Sequence, residues 1–147
     1  MIATEPAYIS DESKIVSTIR EMFDRYCATF VDLAAGKRSD VEALLNFYGA
    51  PLRFIGPTFH MVMRDNAAIT GRDGIGGELE RLHAAHLVGS TLDKFEPRVL
   101  NQRAALVDTT WLRRGADGNL IARYGVVYLV TLTPEGWRIT SAVNTSE

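Results

Sequence analysis

Two titratable side chains lie in the middle of strand-like runs late in the chain: Asp108 in RAALVDTTWLRR (103–114) and Tyr128 in LIARYGVVYLVTLT (120–133). A carboxyl group among apolar neighbours loses hydration in its charged form, so it needs partners or a raised pKa. A raised pKa suits general acid/base work, and a nearby phenol can donate a hydrogen bond to developing oxyanion charge. The turn Gly115-Ala116-Asp117-Gly118-Asn119 joins the two runs. A three-residue Ala116-Asp117-Gly118 loop would pair Arg114 with Leu120, Asp108 with Val126, Thr110 with Tyr124 and Leu106 with Tyr128. Alternation then puts Leu106, Asp108, Thr110, Tyr124, Val126 and Tyr128 on one face, with Val107, Thr109, Trp111, Arg123, Gly125, Val127 and Leu129 on the other. These residues leave three readings open: a catalytic Asp108, a structural Asp108 bonded to a tyrosine or a helix group, and a shifted register that turns it outward.

The remaining reactive residue types carry less. His83 and His86 form an H-x-x-H, but a metal would need a third ligand such as His60 or Asp108. Packed histidines are the preferred reading, with at least one lining a pocket, and no metal is expected. Cys27 has no nucleophile signature around it, and burial in helix packing is expected. The glycines of 71–77 fit neither a P-loop nor a dinucleotide fingerprint, so no cofactor is expected. Arg113-Arg114 at a strand end is read as a solvated pair rather than a phosphate clamp.

The elements that must position these groups follow from periodicity. Ser10, followed by Asp11 and Glu12, can open a helix over about 11–35, and Ile15, Ile19, Met22, Tyr26, Phe30 and Leu33 recur on one face. Gly36 ends it. Ser39-Asp40-Val41-Glu42 reads as a capping box for a second helix through Tyr48. Gly49-Ala50-Pro51 breaks that helix before a short strand at 52–55 and another at 59–64. Asp73 caps a third helix with Ile75, Leu79, Leu82 and His86 inward, His83 being a further candidate, ended by Gly89-Ser90. Residues 91–100 begin a large sheet, which closes with the hairpin through Pro134-Glu135-Gly136 and the run 137–145. Helices on one face of a curved antiparallel sheet make an α+β domain, an architecture that usually encloses a pocket.

The bulk numbers fit one domain over 1–147. The chain is 46% hydrophobic with net charge −2. That size buries enough surface to need no disulfide or metal. A single cysteine points to a reducing, cytoplasmic setting. The acidic N-terminus lacks a secretory signal, and Asn144-Thr145-Ser146 is then a chance sequon. No apolar run is long enough for a membrane span, and a pI near 5.9 argues against a nucleic-acid surface.

The element order resembles the nuclear transport factor 2-like superfamily, the cone-shaped α+β fold shared with ketosteroid isomerase and SnoaL-type cyclases. The likeness rests on Gly36 between the first helices, VEALLNFYGAPLRFIGP (41–57), Gly71-Arg72-Asp73-Gly74-Ile75 and the closing hairpin 128–143. RFIGP, RRGADGNLIARYGVVYL and GWRITSAV are similar to uncharacterised bacterial SnoaL-like proteins. The resemblance implies three helices on a curved, mostly antiparallel sheet. It also implies that Tyr128 faces the cone, which would bring Asp108 with it. Ketosteroid isomerases place a general-base Asp before the proline ending the first strand; Gly56 stands there here, so steroid isomerisation by that mechanism is not expected. Asp108 and Tyr128 become the catalytic candidates, and Tyr26, Tyr48, Phe54, His60, His86, Thr110, Tyr124 and Ser141 the ligand-contacting set. The expected function is a small-molecule pocket, either an isomerase, cyclase or lyase on an apolar carbonyl compound or a non-catalytic binding module. Val107, Trp111, Val127 and Leu129 on the outer face would pair two copies as a homodimer.

Overall fold

The computed structural model describes residues 12–145. Ser10 and Asp11 lie outside the described residues, as does Ser146 of the sequon. Helix α1 (Glu12–Ala34) is followed by a 3-10 helix (Val41–Asn46) and strands β1 (Tyr48–Ile55) and β2 (His60–Met63). Helices α2 (Asn66–Thr70) and α3 (Ile75–Ala84) come next, then β3 (Leu87–Asn101), β4 (Ala104–Gly115), β5 (Leu120–Thr133) and β6 (Gly136–Thr145). The sheet order is β2-β1-β6-β5-β4-β3, antiparallel except for β1 against β6. The expected architecture holds: helices cover one face of a curved, unclosed sheet. Among the described residues no helix is long and apolar enough to cross a membrane.

The long helix forms where its periodicity says it should. Ile19, Met22, Phe23, Tyr26, Phe30 and Leu33 are buried along one stripe. Phe23 is its keystone, with ring centroids 5.8 Å from Tyr26, 5.5 Å from Phe95 and 5.1 Å from Tyr128, each edge-on. Edge-to-face pairs of this kind add to the burial of the rings themselves. Gly36 ends α1 at φ +81°. Its N–H donates to the Leu33 carbonyl and that of Lys37 to the Asp32 carbonyl, the paired pattern of a Schellman cap. His83 bonds through Nδ1 to the Ala34 carbonyl at 3.0 Å, one of the carbonyls the helix end leaves orphaned. A Cβ on Gly36 would meet the His83 ring at 3.0 Å. His83 is therefore a helix clamp.

The second predicted helix is only a 3-10 segment. Asp40 makes no capping bond, because its carboxylate is held by Arg38 at 2.6 and 2.9 Å. The chain enters β1 at Tyr48 and carries Pro51 inside the strand, contrary to the expected break. The ladder to β6 is irregular between Tyr48 and Arg53, and β2 reaches back only to Leu52, so no partner needs the missing N–H. Asp73 does not cap α3; Gly74 stands at that position. The helix ends at Ala84, His86 beyond its cap takes a positive φ (+59°), and β3 starts at Leu87 rather than Thr91.

The largest correction is the register of β4 against β5. Arg114 does pair with Leu120, but Arg113 pairs with Ala122, leaving Ile121 as an extra residue in β5. Beyond this bulge the pairs are Trp111 with Tyr124, Thr109 with Val126 and Val107 with Tyr128, all facing the helices. Asp108 lies opposite Val127 and Thr110 opposite Gly125, on the outer face. Val107 and Trp111 are thus core residues, and the outer face carries Leu106, Leu112, Val127 and Leu129 instead. A second bulge, at Thr140, pairs Ile139 with Val130 but Ser141 with Leu129, which turns Ser141 outward.

Phe23→Ala should cost about 3–5 kcal/mol, because the ring is fully buried and three aromatic partners cannot close the void. Urea unfolding of the two proteins measures the difference; a loss under about 1 kcal/mol would contradict the keystone role.

Candidate functional site

Between α1, β1, β2, α3 and the inner faces of β5 and β6 lies an open cavity of about 530 Å³. One wall is apolar: Phe30, Phe54, Phe59, Met61, Met63 and Ile75. Phe54 and Phe59 stack with centroids 6.4 Å apart, and Phe59 is 42% exposed at the mouth. Gly56 makes this stack fit, since a Cβ there would lie 2.1 Å from the Phe59 ring. Gly56 is therefore closed over by an aromatic ring.

The deep wall is phenolic. Tyr26 from α1 and Tyr48 from β1 share a hydrogen bond between hydroxyls. Trp111 Nε1 donates to the Tyr128 hydroxyl at 2.9 Å, and Tyr26 packs edge-on against Tyr48, Tyr128 and Trp111. Burial, and then the neighbouring phenols, push the Tyr26 and Tyr128 hydroxyls well above their ordinary range. Tyr48 is raised for the same first cause, and burial pushes Tyr124 up to about 12. These groups stay protonated at neutral pH and can serve as hydrogen-bond donors, not as bases.

The third wall is ionic. Glu78 on α3 accepts from Arg81 Nη2 at 2.9 Å and from Arg113 Nη1 on β4 at 3.0 Å. Burial would raise the Glu78 carboxyl, but the two guanidiniums outweigh it and hold it below its usual value. The Arg113 guanidinium lies over the Tyr124 ring at 4.7 Å and the Phe30 ring at 5.5 Å. Its side chain is only 15% exposed, so the expectation of a solvated Arg113-Arg114 pair is wrong for Arg113. Asn144 completes the lining, with its buried Oδ1 unpartnered.

Of the expected site residues, Tyr26, Tyr48, Phe54, Tyr124 and Tyr128 meet in this cavity. Asp108 does not: it is 44% exposed on the outer face, paired with Lys94 Nζ at 3.0 Å. Thr110 and Ser141 share that outer face through the two bulges. His60 lies beside Arg53 on the outer side of β1 and β2, Nε2 to Nη1 at 3.1 Å, and His86 is exposed past the end of α3. Cys27 donates to the Ser90 carbonyl at 2.9 Å, and burial, with Asp24, raises its thiol pKa. Among the described residues no three His, Cys, Asp or Glu side chains gather into a metal site. Sequence reasoning missed Glu78, Arg81, Arg113, Phe59, Met61, Met63 and Asn144. Alternation from Trp111 could have found Arg113, two residues along the same strand face.

Residues 11–147 match the profile of a family described as NTF2-like protein (DUF6841). The chain belongs to this NTF2-like family. The solved structures it is similar to agree on the fold. An NTF2-like protein with a cystatin-like fold from Novosphingobium aromaticivorans is 18% identical, with a TM-score of 0.69 over 97% of this chain and 90% of that one. A protein of unknown function from Mycobacterium tuberculosis is 14% identical, with a TM-score of 0.66 over 99% of this chain and 78% of that one. An NTF2-like protein of unknown function from Pseudomonas putida is 11% identical, with a TM-score of 0.66 over 92% and 88%. No relative was found among curated proteins.

The phenol wall makes a pH prediction. The folded pKa values of Tyr26, Tyr48, Tyr124 and Tyr128 lie above their unfolded value of about 10, so the stabilisation is complete below that pH and is lost as pH rises beyond it. Stability should fall above about pH 10 by up to about 1.4 kcal/mol per pH unit for each phenol. Urea midpoints against pH, with phenolate absorbance followed in parallel, check this; a folded protein whose tyrosines all titrate near the ordinary value would contradict it.

Proposed function

We propose that this protein binds a small, largely apolar molecule in its cone and that the pocket acts as a binding module. The carrying observation is the cavity itself, open, about 530 Å³, and walled by aromatic and methionine side chains with a few convergent donors. Cavities of this size and composition hold most small-ligand sites. Tyr26, Tyr48 and Tyr128 are engaged with one another and with Trp111, so the Tyr124 hydroxyl, kept protonated by burial, is the phenol suited to meet a carbonyl oxygen on the ligand.

The isomerase, cyclase or lyase reading is the weaker one. Proton abstraction within the cone would need a free carboxylate or histidine facing it. Glu78, the carboxylate among the described lining residues, is committed to two guanidiniums, and Asp108 faces solvent. The outer face, with Leu106, Leu112, Val127 and Leu129 half-buried and Val143 exposed, suits pairing of two copies.

A neutral fluorescent probe such as N-phenylnaphthylamine should bind with a strong rise in emission. Ala122→Trp, which puts an indole into the lining, should weaken that binding at least about tenfold, a change of about 1.4 kcal/mol. Asp108→Asn should leave it unchanged and shift stability by under about 1 kcal/mol, as expected for an exposed ion pair. Equal binding by the Ala122→Trp protein would place the probe elsewhere and remove the proposal. For the outer face, sedimentation velocity should show a dimer that Leu129→Glu converts to monomer; a monomeric parent protein would exclude pairing there.

A further inference from the structure

The charges around the cone do not cancel. Its ionised lining residues, among those described, are Glu78, Arg81 and Arg113, one carboxylate against two guanidiniums. Glu78 is held below its usual pKa, so it is ionised at neutral pH and the wall keeps one positive charge in excess. The two arginines do not share that excess alike. Arg81 is 71% exposed, and water and salt screen it. Arg113 is only 15% exposed and lies over the rings of Tyr124 and Phe30, where its charge is less screened than that of Arg81.

Two buried polar atoms nearby add to this. Arg113 Nε has no hydrogen-bond partner in the protein, and neither does Asn144 Oδ1. A guanidinium N–H buried without an acceptor carries a cost in stability, which an oxygen reaching it from the cavity, of water or of a ligand, would relieve. The Asn144 amide, whose oxygen and nitrogen can exchange places, can turn an N–H toward an anionic oxygen. Guanidinium forks suit carboxylates better than any neutral group.

We infer that the cone selects an anionic amphiphile, a small carboxylate whose apolar body lies against Phe54, Phe59, Met61 and Met63 and whose head is drawn to Arg113. This rests on the reading of the cone as a ligand pocket. Glu78 then competes with the ligand head for Arg113, acting as a built-in counter-ion that keeps the empty site neutral enough to fold. Removing its charge should tighten anion binding, whereas a purely structural ion pair would give no such preference.

The test uses two competitors with one ring system, naphthylacetate and naphthylacetamide, displacing N-phenylnaphthylamine from the intact protein at low salt. The acid should displace the probe at about tenfold lower concentration than the amide. Glu78→Gln should widen that ratio, and Arg113→Met should bring it to about one. Equal displacement by acid and amide, or a ratio that narrows in Glu78→Gln, overturns the inference while leaving the pocket reading intact. Failure of the neutral probe itself to bind would overturn the pocket reading and the inference with it. If Arg113→Met does not fold, the Glu78→Gln ratio still decides.

Discussion

Ile121 interrupts the ladder between β4 and β5, and the parity of every residue beyond it depends on that interruption. With one residue extra on β5, Trp111, Thr109 and Val107 share the inner face with Tyr124, Val126 and Tyr128. Without it, the Trp111 strand face and the Tyr128 strand face would point to opposite sides of the sheet, since a one-residue slip exchanges the faces of a strand. The Trp111–Tyr128 hydrogen bond, the cover of Arg113 by Tyr124 and the packing of Phe23 on Tyr128 all require the bulged register. Asp108 also gains from it, because the same shift leaves its carboxylate in water beside Lys94 instead of among rings.

Given that inner face, the cone is a compromise between packing and polarity. Aromatic side chains fill the region around Phe23 and Tyr26, and the phenols there satisfy one another at the cost of being held protonated. Toward the mouth the filling stops, and Glu78, Arg81 and Arg113 form an ionic wall next to Phe59 and the methionines. A largely covered guanidinium is tolerated because Glu78, shared with Arg81, offsets part of its charge and two rings cover its faces. An ion pair in such a place adds little net stability compared with apolar packing. Its presence in a cavity wall accords with the proposal that the cavity receives an anionic ligand.

Much of this fold was legible in the residues. The 3.6 spacing from Ile19 to Leu33, the positive-φ Gly36 and the two hairpin turns suffice for α1, its end and the meander. Tyr26, Tyr48, Phe54, Tyr124 and Tyr128 were found because bulky aromatic residues on these elements have few other places to go. The face of Asp108 was not legible. Leu106 and Leu112 are as apolar as Val107 and Trp111, so alternation alone could not choose between the two sides of β4. A bulge at Thr140 hid the orientation of Ser141 in the same way. The capping box at Ser39–Glu42 did not form: the 3-10 segment starts one residue later, with Asp40 at the cap position and its carboxylate held by Arg38. His83 could not be told from a ligand until its bond to the end of α1 was seen.

Ligand protection of single thiols tests the bulged register and the cone together. In a Cys27→Ala background, Asp108→Cys and Ala122→Cys each place one thiol, the first on the outer face and the second in the cavity lining. A small maleimide should label both, and saturating N-phenylnaphthylamine should slow labelling only of the Ala122→Cys protein. Protection of the Asp108→Cys thiol, with the Ala122→Cys thiol unaffected, would place Asp108 in the cone and contradict the account.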